Sequence, residues 1–190
     1  MLTSVLTTVR TTSLGAAALA LAALALTQVA PASAATLTAD DPRDLGHGVD
    51  LRSVEVQHGG RNVVVTTTHA DLVPDYRSGS SGAVFLDTDP ADPGPEFVLA
   101  GGYFSGTDYV LLTTDGFARG SWGEPVEGSY RMRVDYDADQ VRTRIARSAL
   151  GSPDEVRVAV RVAGTRPDGT DTRPDWLGAP RSLTDWGASR

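Results

Sequence analysis

The sequence has no cysteine and no lysine. Without cysteine there is no disulfide, no thiolate zinc or iron–sulfur centre, no cysteine nucleophile and no lipidated N-terminal cysteine. All basic charge is arginine, 17 residues against 24 acids, for a net charge of −7. That balance excludes a simple basic nucleic-acid binder, because phosphate neutralisation needs a positive surface. Also lacking are a Walker loop, a dinucleotide fingerprint and a Gly-x-Ser-x-Gly elbow. Gly101-Gly102-Tyr103-Phe104-Ser105-Gly106 reads as a hairpin link, since no helix is expected after it to cradle a phosphate. After residue 34 no stretch of ten or more residues repeats at period 3.6, which argues against a helical fold.

The first 34 residues read as a secretory signal peptide. Residues 14–30 (LGAAALALAALALTQVA) are almost wholly apolar, and Pro31-Ala32-Ser33-Ala34 then offers small residues where a signal peptidase reads. Cleavage is expected after Ala34, by the Sec route, because no Arg-Arg pair precedes the apolar run. An uncleaved anchor is the competing reading, at the short end of what spans a bilayer. The leader carries one cation, Arg10, and no acid, so the secreted part is one charge more negative than the whole. Residues 35–190 are expected to form a single domain, long enough to bury a full core without disulfides.

That part alternates apolar and polar residues with period two. Residues 50–57 (DLRSVEVQ) and 61–69 (RNVVVTTTH) flank His58-Gly59-Gly60 and predict a hairpin, with residues summing to about 118 facing each other. Residues 83–87 (AVFLD) predict a short strand buried on both faces, and 97–100 and 108–113 two more. Tyr130, Met132, Val134 and Tyr136 share one face; Val141, Thr143 and Ile145 another; Val156, Val158, Val160 and Val162 a third. Polar residues between them mean that one face of each strand meets water, the antiparallel pattern. Residues 147–151 predict one helical turn closed by Gly151. The expectation is an all-β, single antiparallel β-sandwich, jelly-roll-like, with residues 36–48 and 182–190 its loosest parts.

The order of segments resembles family 9 carbohydrate-binding modules and DOMON-like domains, and small secreted actinobacterial proteins. The resemblance is carried by Asp41-Pro42-Arg43-Asp44-Leu45, by residues 50–56, by Leu86-Asp87-Thr88-Asp89, by Pro95-Glu96-Phe97, by residues 145–151 and by Asp175-Trp176-Leu177-Gly178. It implies a β-sandwich that binds sugar, haem or calcium. Met132 and a histidine cannot be placed as the haem-ligating pair, so haem is not carried over.

Three constellations bear on chemistry. Asp87, Asp89, Asp92 and Glu96 (DTDPADPGPE) offer carboxylates in a stiff strand-end loop, as calcium wants; a solvated acidic turn is the alternative. Asp40, Asp41 and Asp44, near Asp50, form a second acidic segment, which the resemblance marks as a metal or strand-locking site. The expected hairpin register brings His47 and His69 to one face near Asp71, where a transition metal could bind, although three surface histidines (His58 the third) is the favoured reading. Among the aromatics, Trp122, Tyr103 and Tyr109 are candidates to stack on a sugar. Trp122 lies between Gly120 and Gly123 and so on a loop. Trp176 and Trp186 are read as core or as plugs at a sandwich end.

These residues point to a secreted, non-catalytic binding module for an extracellular ligand, a glycan or a protein, with structural Ca²⁺. The alternatives are a secreted structural or protein-interaction domain with no small ligand, and an extracellular hydrolase. Neither nucleic acid nor, once the leader is removed, membrane is expected as a partner.

Overall fold

The computed structural model describes residues 35–165 and 173–189; the expected signal peptide lies outside them. Two antiparallel sheets pack face to face as a β-sandwich. The first has the order β1-β2-β3-β9-β8, built from Ala35–Asp40, Leu51–His58, Asn62–His69, Gln140–Ala146 and Tyr130–Asp135. The second has the order β11-β10-β4-β5-β6-β7, with β12 beside β10. Its strands are Asp175–Trp176, Glu155–Ala163, Ser81–Asp87, Phe97–Gly102, Tyr109–Thr114, Trp122–Pro125 and, for β12, Gly187–Ala188.

The alternation dictates the packing. Val54, Val56, Val63, Val65, Val141 and Ile145 point inward from the first sheet. Val84, Leu86, Leu99, Leu111 and the four alternating valines of β10 meet them from the second. Fully burying each such side chain is worth about 1.5–3 kcal/mol. Residues 83–87 are indeed buried throughout, because the outer face of the second sheet has a core of its own. There Ala83, Phe85, Val98 and Ala159 are buried under Phe117, Trp122, Trp176 and Leu183.

Three expectations change. Residues 35–40 are not loose but form strand β1, paired along its length with β2. The tail is tied to β10 by Thr184 N–H donating to the Val158 carbonyl at 2.8 Å and by the β12 pairing. The β2–β3 register differs from the expected one: His58 faces Val63, and after a bulge between Leu51 and Ser53, His69 faces Leu51 rather than Val49. The turn is shifted by one residue, from the expected 58–60 to 59–61, with Gly59 N–H donating to the Asn62 carbonyl. The expected helical turn forms at Arg147–Leu150 and ends on Gly151 at φ 76°.

Candidate functional site

Asp87, Asp89, Asp92 and Glu96 do not converge; among the described residues the acids that share a point are others. Asp87 is fully buried at the end of β4, where the Arg157 guanidinium grips its Oδ2 at 2.7 and 2.8 Å. Arg157 in turn lies 4.4 Å from the centre of the Trp186 ring, so Trp186 covers an ion pair. Glu96 accepts from the Thr88 N–H at 2.6 Å and hydroxyl at 2.9 Å, and burial pushes its carboxyl above the usual range. Asp89 caps its own turn through the Ala91 N–H, and Asp92 is exposed. Glu96 and Asp89 are thus used within the loop, while the second oxygen of Asp87, Oδ1, is buried with no hydrogen-bond partner among the described residues.

The histidines are not on the surface. His47, His58 and His69 are 7%, 0% and 3% exposed. His69 Nδ1 donates to the Val49 carbonyl at 2.8 Å, which leaves Nε2 to accept from the Thr67 hydroxyl at 2.7 Å. Burial pulls its pKa down to about 4, so the ring is neutral with both nitrogens occupied. His58 donates from Nδ1 to the Gly187 carbonyl at 2.8 Å and ties the tail to β2. His47, His69 and Asp71 line one cleft of about 640 Å³, but they do not form a metal-ligand group among the described residues. Two of that cleft's arginines are paired, Arg52 with Asp50 and Arg77 with Asp75.

Tyr103 is 1% exposed, bonded to Thr67 and edge-on to the His69 ring at 5.4 Å. It is a core residue and cannot touch a ligand. Tyr109 packs edge-on against Tyr130 at 6.2 Å on the flank of the main core, away from both clefts.

The second acidic segment gains a distant partner. Asp41, Asp44 and Asp175 each bring a carboxylate oxygen within 4.8 Å of the others; Asp40 is not one of them. Asp41 and Asp175 are buried and Asp44 is exposed. Asp41 Oδ1 accepts from the Gly178 N–H, while its Oδ2 is buried with no partner. Asp175 accepts from the Leu51 N–H at 2.8 Å and the Trp176 N–H at 2.8 Å. Burial, opposed in part by these bonds, raises Asp41 above its ordinary value and Asp175 to about 6; the neighbouring acids add to both. A divalent cation would remove that repulsion and satisfy the orphaned oxygen. Asp50 is not part of the set: it accepts from the Asp44 and Leu45 N–H groups and pairs with Arg52.

On the outer face of the second sheet, Trp122 and Trp176 line a groove of about 570 Å³ with Phe117, Arg119, Arg161 and Arg181. Beneath its lining, three rings converge on the fully buried Phe85: Phe117 at 5.1 Å, Trp176 at 5.9 Å and Trp122 at 6.3 Å. One wall is the loop after β6. Thr114 closes it, its hydroxyl donating to the Gly116 carbonyl at 2.7 Å. The other wall is β11 and the chain after it, fixed by the Trp176–Arg161 pairing and by Leu177 N–H donating to the Val160 carbonyl at 3.0 Å. Arg181 holds φ 66°, left-handed and rare for a side-chain-bearing residue. Trp122 stood out in the sequence, but it opens strand β7, paired with Thr114, rather than lying on the expected loop. The arginines and Phe117 did not stand out, because they come from the loop after β6, from β10 and from the chain after β11, which only the sheet order brings together.

No protein-family model matches the chain, and no curated protein matches it.

Proposed function

We propose that the protein is a secreted, non-catalytic binding module that takes an extracellular glycan in the outer-face groove. The observation that carries this reading is the groove's composition. Two indoles and a phenyl ring stand over Phe85, flanked by guanidinium donors. Flat aromatic faces pack on the apolar faces of sugar rings, and nearby charged donors bond the hydroxyls. Among the described lining residues there is no carboxylate and no imidazole. A glycoside hydrolase needs two carboxylates about 5–10 Å apart, so the lining favours retention over turnover. The leader read at residues 1–34 makes the compartment extracellular in this reading.

Asp41, Asp44 and Asp175 fit calcium, and they would hold it between the N-terminal segment and β11. Bound there, the ion would neutralise three neighbouring acids. Asp175 precedes Trp176 in the two-residue strand β11, so the same ion would steady one wall of the groove.

A glycan array probed with the wild type and with Trp122→Ala tests the reading. Binding to at least one glycan class that the variant loses supports it. Binding to none, with capture of a protein through another surface, supports the interaction-domain alternative.

A further inference from the structure

The groove's charge sets it apart from the rest of the protein. Arg119, Arg161 and Arg181 line it, and none has an ion-pair partner among the described residues. The whole chain carries 24 acids to 17 arginines, so an all-cationic recess is not the background pattern. Elsewhere the half-buried arginines are matched: Arg157 grips Asp87, Arg52 reaches Asp50 and Arg147 lies 3.7 Å from Asp154. Arg161 is half-buried on β10 and has given up part of its hydration with no anion in exchange among the described residues. A desolvated cation without a partner is unfavourable, and a like charge nearby makes it more so. Burial first, and then the Arg119 cation, pull Arg161 below the ordinary arginine value. Arg119 itself lies over the Trp122 ring, 5.6 Å from its centre. The Trp122 Nε1–H is buried and has no acceptor. Among the described residues, the groove lining therefore holds three guanidinium groups with no ion-pair partner and no acidic side chain, and the indole that lines it carries a buried N–H with no acceptor.

We infer that the groove is a site for an acidic glycan, its oxyanion held by Arg161 and Arg119 and a sugar face laid on Trp122. The oxyanion is a uronate carboxylate or a sulfate ester; both match the planar fork of guanidinium donors. This inference rests on the glycan-binding reading above and narrows it to one ligand class. No bond is made or broken.

The test is native gel electrophoresis of the whole secreted protein through gels containing polygalacturonate, dextran sulfate or neutral xylan. Retardation by an acidic polymer, at least about tenfold stronger than by xylan, is expected, a margin of about 1.4 kcal/mol. Polygalacturonate alone identifies a carboxylate, dextran sulfate alone a sulfate, and both a shared oxyanion subsite. Arg161→Gln and Arg119→Gln should each weaken retardation about tenfold or more. Arg119 is exposed, so that variant keeps the fold even if Arg161→Gln does not. Equal retardation by xylan, indifferent to both arginine variants, would overturn the acidic ligand and leave the groove as a neutral-glycan site. Acidic retardation that survives Trp122→Ala would overturn the groove as its cause, since surface charge alone is then enough. No retardation by any polymer, together with a blank glycan array, would overturn the glycan reading as well.

Discussion

Trp176 lies flat against Phe85, their ring centres 5.9 Å apart and their planes 14° from parallel. Trp122 meets the same phenyl ring at 65° and 6.3 Å. The two indoles of the groove are thus fixed differently. Trp176 is stacked into the outer core, whereas Trp122 stands edge-on with Arg119 over it. Trp176→Ala should therefore cost about 2–3 kcal/mol of stability, a half-buried share of the usual aromatic-to-alanine loss. Trp122→Ala should cost about 1 kcal/mol and remove ligand binding. Chemical denaturation of both variants measures the difference; equal losses would show that Trp122 is as structural as Trp176.

Calcium should raise the melting temperature. At a hundredfold excess over Kd the gain is about 2.7 kcal/mol, roughly 5–10 °C for a protein of this size. Asp44→Ala should abolish that rise while leaving the metal-free melt unchanged or slightly higher, because Asp44 is exposed and its charge opposes Asp41 and Asp175. A calcium response that persists in Asp44→Ala places the ion elsewhere.

That response should depend on pH. Burial lifts Asp175 from 3.8 to about 6 in the fold. In metal-free protein its protonated form favours folding below about pH 4, and this contribution is lost as pH rises through about 6. Calcium takes the proton's place, so its stabilisation should be larger at pH 7 than at pH 5. Melts with and without calcium at the two pH values check this; the reverse order would exclude Asp175 as a ligand.

Asp87→Ala should destabilise by about 2 kcal/mol, since it leaves Arg157 facing a buried site without its anion. The loss should be the same with calcium and with chelator. A loss that calcium changes would return the loop of Asp87, Asp89, Asp92 and Glu96 to the list of metal sites.

Much of the fold was legible because side chains that alternate with period two must face alternately core and water. Strands β2, β3, β8, β9 and β10 lie where Val, Thr, Ile and Tyr alternate. Strand β1 was missed because ATLTAD is short, and its pairing with β2 gives it its place. The register of β2 on β3 was missed because a bulge moves residues past one another without changing the apolar pattern. Of the acidic segment, Asp41 and Asp44 were legible together as near neighbours. Asp175 belongs with them only because its carboxylate accepts the Leu51 N–H across 124 residues of chain. The groove was half legible: Trp122 stood out between glycines, but Arg161 alternates with valines like any solvent-facing strand residue. Its lack of an ion-pair partner among the described residues is a fact of three dimensions only.

The most direct test of the account is isothermal titration of the wild type and of Trp122→Ala with the best-bound glycan from the array. The account predicts that the wild type binds and that the variant, folded by its melt, loses about tenfold or more in affinity. Equal affinity in the two proteins would contradict it and move the ligand site away from the outer-face groove.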